Sequence, residues 1–207
     1  MPRDKTASHI RVDAAIRAEF LEKGFEKAFV RSIGQRAGMT SAGLYRHYAD
    51  KEAMFASIVD PVIAKMDEWM QRHTDRKYPL ADKDSDILFD ETMIDMIKKI
   101  VLPNKEDLYI LLCRAQGTRY ENFIHDQVEK YQPSLKDAIH HMRTLGYSVT
   151  DISDDELHFL LSAYVTAIFE PIIHDYPDDM IEHYLDTINE FFMPGWKKIM
   201  GIDHDRR

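Results

Sequence analysis

Apolar side chains recur every three to four residues along most of this chain, the spacing that lines one side of an α-helix. Long alternating runs and Asn-Gly or Asp-Gly hairpin turns are missing, so the pattern predicts an all-α protein. A first helix is expected from about Ser8 to Lys23, with Ile10, Ala14, Phe20 and Leu21 available for its buried side. Gly24 is placed to stop it in a left-handed conformation, with Phe25 folding back onto the last turn. Two short helices follow at about Val30–Ala37 and Ser41–His47. Asp50 is positioned to cap a long helix running from Lys51 to about Arg76.

Beyond the polar, proline-containing "TDRKYPLADKDSD", helices are expected at about Asp86–Val101, Lys105–Gly117 and Arg119–Tyr131. Pro103 and Pro133 punctuate them, because proline lacks an N–H and disfavours helix in the residue before it. Pro133 suits the first turn of a further helix reaching about Leu145. Ser153 or Asp154 then caps the apolar "DELHFLLSAYVTAIFEPII", which Pro171 should kink or end. The final helix is "DDMIEHYLDTINEFFMPGWKKIM". No internal repeat interrupts the series.

The segment Val30–Tyr48 is the most specific. Val30, Ile33 and Ala37 share one face of its first helix, and Ala37 is small enough for a second helix to cross closely. Gly38 can take the positive φ of a tight stop, Met39 plugs the turn, and Thr40 or Ser41 offers an oxygen to cap the next helix. Leu44 and Tyr48, four apart, face inward. Ser41, Ala42, Gly43, Tyr45, Arg46 and His47 remain outside, a helix-turn-helix with small and polar groups at the start of its second helix. The groups of Tyr45, Arg46 and Lys51 can reach phosphates.

Charge supports two parts. The net charge is −9. Residues 1–55 nevertheless hold ten Lys and Arg against seven Asp and Glu, leaving seventeen against twenty-nine for the rest. Charge asymmetry of this kind can mark a nucleic-acid-facing end. Cys113 is the only cysteine, which rules out an intrachain disulfide and points to a reducing cytoplasm. Neither an uninterrupted apolar run of about 18 residues nor the apolar core of a secretion signal is present, so no membrane association is expected.

"AAIRAEFLEKGFEKAFVRSIGQRAGMTSAGLYRHYADKEAMF" resembles the N-terminal domain of the tetracycline-repressor (TetR) family of bacterial transcription regulators. The resemblance lies in Glu22-Lys23-Gly24-Phe25, Ile33-x-x-x-Ala37-Gly38, Thr40-Ser41, Leu44-Tyr45-x-His47-Tyr48 and Lys51-Glu52. Gly43 stands where the family commonly has Thr, and Ser41 where it often has Lys. The resemblance implies a three-helix DNA-binding domain over residues 1–52 and a larger helical effector-binding and dimerisation domain over 53–207. It implies that Ser41–His47 enters the major groove and that Tyr45 and Lys51 touch the DNA backbone. Thr40, Ser41, Ala42, Gly43 and Arg46 complete the DNA-binding set. It further implies a homodimer paired through the last two helices, an inverted-repeat operator, and repression relieved by a small-molecule effector of unknown identity.

The helix "LHFLLSAYVTAIF" is too apolar around its circumference for an exposed helix of a monomer, and Ala163 and Ala167 would permit close approach. Candidates for lining an effector pocket are Met66, Trp69, Met70, Tyr109, Cys113, Tyr120, Phe123, Phe169 and Ile173. Neighbouring His140 and His141 diverge on a helix, and no HExxH or i,i+4 histidine pair occurs, so neither a metal nor another cofactor is expected. No phosphate loop or nucleophile elbow points to catalysis. An all-α enzyme, or a regulator controlled by a protein partner, is the alternative.

Overall fold

The computed structural model describes residues 5–80 and 96–202. Among them the chain is helical and contains no strand. Eight α-helices are numbered here in order: α1 Lys5–Lys27, α2 Val30–Ala37, α3 Ser41–Leu44, α4 Lys51–Leu80, α5 Lys105–Cys113, α6 Phe123–Thr144, α7 Asp154–Ile173 and α8 Asp178–Ile199. A π-helical turn at Ile97–Val101 and a 3-10 turn at Leu102–Asn104 lead into α5. The first part of the helix expected over Asp86–Val101 lies outside the described residues.

The chain divides into two compact units, Met1–Lys65 with Asn104–Asn122, and Met66–Pro103 with Phe123–Arg207. The first therefore takes in α5 and the start of α4 as well as α1–α3. Its core joins Ile16 and Phe20 of α1 to Ile33, Leu44, Met54, Phe55, Leu108 and Leu111, all essentially without solvent access. Phe20 and Phe25 both meet the Phe55 ring, at 5.1 and 5.6 Å between centroids. The buried side of α1 is Val12, Ala15, Ile16, Glu19 and Phe20, whereas Ile10 and Ala14 are exposed and Leu21 is half-buried. Periodicity had the helix and the burial of Phe20 right and misplaced Ile10 and Ala14, because α2 and α5 decide which side is covered.

Gly24 interrupts α1 at φ 70°, ψ 166°, an extended positive-φ region open essentially to glycine alone and not the left-handed turn expected. Phe25 N–H then donates to the Arg114 carbonyl at 2.9 Å, and Arg114 Nε donates to the Leu21 carbonyl at 3.0 Å. Arg17 forks onto Asp107 of α5 at 2.5 and 3.1 Å. These contacts brace the end of α1 against α5.

In the second unit α7 packs on α6 and α8. Leu157, Leu161, Tyr164, Ile168, Phe169 and Ile172 supply its buried side, and Val128 and Ile139 of α6 and Ile181 and Leu185 of α8 are buried as well. The two helices expected on either side of Pro133 are one: α6 runs through it. Pro133 is exposed, so water can satisfy the carbonyl that loses its partner to the missing N–H. Ser153 begins α7 with a reciprocal capping box, its hydroxyl accepting from Glu156 N–H while the Glu156 carboxylate accepts the Ser153 N–H at 2.8 Å. By length and composition α7 could cross a membrane. The buried side just described gives its apolar character a packing explanation.

Candidate nucleic-acid interface

The turn between α2 and α3 is built from local chemistry. Gly38 adopts φ 67°, ψ 33°, true left-handed backbone, and Met39 N–H returns to the Gly34 carbonyl at 2.8 Å, satisfying a carbonyl the helix end leaves open. Thr40 Oγ1 accepts from Gly43 N–H at 3.1 Å and caps α3. Leu44 is wholly buried. Tyr48, half-buried, directs its hydroxyl at Asp13 Oδ1, 3.3 Å away. The α-helical part of α3 is shorter than the expected Ser41–His47. It ends at Leu44, and Tyr45–His47 continue as a tighter turn, with His47 N–H bonded to the Leu44 carbonyl at 2.9 Å.

Closeness of crossing is set by Gly34 more than by Ala37. A Cβ at Gly34 would stand 2.8 Å from the Met39 carbonyl oxygen, inside van der Waals contact with backbone that cannot yield. Nothing in the helical pattern separates this glycine from an ordinary helix residue, so its role is a finding of the structure. Gly43 is different: a Cβ there would lie 3.4 Å from the flexible end of Met39 and from Thr40 Oγ1.

Of the seven expected DNA-binding residues, six lie together. Thr40, Ala42, Tyr45 and Arg46 are exposed and Ser41 and Gly43 partly so. They form one outward surface over the first turn of α3 and the turn after it. Lys51 behaves differently. Its ammonium donates to the carbonyls of Phe25 at 2.7 Å, Ala28 at 3.3 Å and Glu26 at 3.4 Å, and stands 4.3 Å above the Phe25 ring. In the free protein it fastens the α1–α2 connection to the start of α4.

A further residue had no signal in the sequence pattern. Glu19 of α1 is 1% exposed. Its carboxylate accepts from Phe29 N–H at 3.3 Å, Ser32 Oγ at 2.7 Å and Arg36 Nε at 3.1 Å. Phe29 occupies the N-cap of α2 and has no side-chain oxygen to offer, so Glu19 supplies the cap from another helix. Arg36 also pairs with Glu22, whose carboxyl is held below the usual range by Lys23 and by Arg36.

The pocket candidates do not gather within one unit. Met66, Trp69, Phe123 and Phe169 are buried in the second unit, with the Phe123 and Phe169 rings 6.1 Å apart, and Met70 and Ile173 are half-buried there. Tyr109, Cys113 and Tyr120 belong to the first. Tyr109 lies under the Arg114 guanidinium, burial pushes the Cys113 thiol upward, and Tyr120 donates to Asp60 at 2.6 Å. Burial and then that carboxylate push the Tyr120 phenol up to about 12.

A helix of small residues, capped at its start, held across a second helix and carrying outward phenol and guanidinium groups, defines a helix-turn-helix DNA-binding domain. Residues 13–58 match the model of the tetR family of bacterial regulatory proteins. Over this segment the chain carries the helix-turn-helix DNA-binding domain of TetR-family transcriptional regulators. In overall structure it is similar to NalD, the secondary repressor of the MexAB-OprM multidrug efflux pump in Pseudomonas aeruginosa, at 18% identity over 90% of this chain and 96% of that one, with a TM-score of 0.55. A putative TetR-family transcriptional regulator from Mesorhizobium loti aligns over 93% of this chain and 98% of its own at 14% identity and a TM-score of 0.48. At 18% identity the likeness to NalD is one of fold. No curated protein sequence matches the chain.

Proposed function

We propose that the protein is a homodimeric repressor that reads an inverted-repeat operator and is released by a small-molecule effector held in its second unit. The observation that carries the DNA-reading half is the outward surface of Thr40, Ser41, Ala42, Gly43, Tyr45 and Arg46 on a rigidly capped turn. Small residues at the start of α3 let its backbone approach the groove, while Tyr45 and Arg46 reach for phosphates or a base edge. Lys51 joins them at the backbone only by leaving its carbonyls, and its first task is to position the hairpin.

Support for pairing comes from α7 and α8. Phe159 is 68% exposed, Phe191 77% and Met180 53%, and exposed Ala163 lies one turn from Phe159 on α7. Large apolar groups left exposed on two helices favour an interaction surface there. A two-fold dimer through them sets two reading helices one DNA turn apart, roughly 34–36 Å. The effector would act by linkage, each ligand weakening the other equally, with couplings of typically about 1–3 kcal/mol.

Selection of sites from a random duplex DNA library by the purified protein is the decisive experiment. Enrichment of an inverted repeat is expected. An intact, folded dimer that enriches nothing would overturn the operator reading. Compounds that raise the protein's melting temperature can then be tested on the operator complex. The effector reading fails if saturating amounts of them leave operator affinity unchanged.

A further inference from the structure

His125 and Glu129 are one turn apart on α6, and His158 comes from α7. One ring nitrogen of each histidine and one oxygen of Glu129 lie within 4.8 Å of one another. His158 Nδ1 and Glu129 Oε1 are 3.6 Å apart. A tetrahedral ion bound at about 2.0–2.1 Å needs ligand atoms about 3.3–3.5 Å apart, so the three groups must draw together from a spacing of up to 4.8 Å. His125 and Glu129 are exposed and His158 half-buried, which leaves the side chains room for the remaining adjustment.

Two neighbouring features favour a cation. Gln132 donates its amide N–H to the Asp154 carbonyl at 2.9 Å, which turns its Oε1 towards His158 Nδ1 at 3.0 Å. With Nδ1 donating to that oxygen, the tautomer and orientation of His158 are fixed and Nε2 is the nitrogen left to ligate a metal. The nearby ammonium groups are engaged elsewhere, Lys130 with Asp67 at 2.6 Å and Lys136 with Asp154 at 2.7 Å. The ion pair that Glu129 makes is with His158 itself.

We propose that His125, Glu129 and His158 bind one first-row divalent transition ion of the zinc type, clamping α6 to α7. Two imidazoles select such an ion over magnesium or calcium, which prefer all-oxygen ligands. Three protein ligands leave the fourth position for water or an incoming group. The ion would lock the end of α6 that carries His125 onto the first turns of α7.

The test is titration of the tag-free, full-length protein with zinc chloride by calorimetry, and with cobalt chloride by visible absorption. One equivalent per chain is expected, with cobalt bands of tetrahedral intensity. His125→Ala and His158→Ala should each abolish binding while leaving the far-ultraviolet circular dichroism unchanged. Glu129→Gln should weaken it, and Gln132→Leu should cost about 10–100-fold in affinity. His183→Ala, on α8, serves as the control and should bind as the parent does. Absence of saturable binding overturns the proposal, as does undiminished binding in both the His125→Ala and His158→Ala proteins. Neither result bears on DNA reading, which the site selection measures separately.

Discussion

Single side chains in the first unit divide into those that face outward and those that hold. Arg46 is exposed and Tyr45 presents its phenol to solvent, which suits both to the proposed reading of DNA. Arg46→Ala is expected to lower operator affinity and, if the guanidinium sits on phosphate, to reduce the salt slope by about one with the sequence preference intact. A changed preference with an unchanged slope would place Arg46 on a base instead. Lys51 belongs with the holders. Lys51→Met removes a charged donor from three carbonyls and should cost about 1–2 kcal/mol of stability, measured by urea unfolding. A variant as stable as its parent, but with a shallower salt slope on DNA, would return Lys51 to the phosphate backbone.

Elements show what a sequence can and cannot disclose. Gly38, Asp50 and Ser153 act as read from the sequence, because a cap and its helix end are only a few residues apart; Asp50 Oδ1 accepts the Ala53 N–H at 2.7 Å. The exposure of Ile10 and Ala14 on α1 and the cap from Glu19 depend on partners distant in the chain, so no local pattern holds them, while α6 passes Pro133 because that position faces water. The His125–Glu129 pair is not singled out in the sequence, and His158 joins it only once α6 and α7 pack. The crossing of α2 and α3 yields a paired expectation. Gly34→Ala forces a carbonyl aside and should abolish operator binding and lower the melting temperature. Gly43→Ala meets only ordinary contacts and should stabilise the protein by up to about 1 kcal/mol through helix propensity. Equal behaviour of the two variants in thermal melts would contradict the steric account. The start of α7 carries a pH dependence. The Ser153 N–H, then its hydroxyl, hold the Glu156 carboxyl below its ordinary value. That contribution is present above the ordinary carboxylate pKa, about 4.3, and is lost as pH falls through the folded value. The stability advantage of wild type over Glu156→Gln should therefore shrink on acidification, and a constant difference from pH 7 to pH 3 would refute it.

For the whole molecule the telling quantity is its state of association. Phe191→Glu puts charge on the most exposed phenylalanine of α8 and, if pairing runs through that helix, should yield folded monomers with greatly reduced operator affinity. Sedimentation that still shows dimers would place the interface elsewhere. Glu19 has a different consequence, for modularity. The first turn of α2 is completed by a carboxylate from α1, and Phe29 has nothing to replace it. The hairpin is thus not a detachable cassette. Grafting residues 28–48 onto another scaffold would carry over the reading surface and leave its socket behind, so α1 must travel with any exchange of binding specificity.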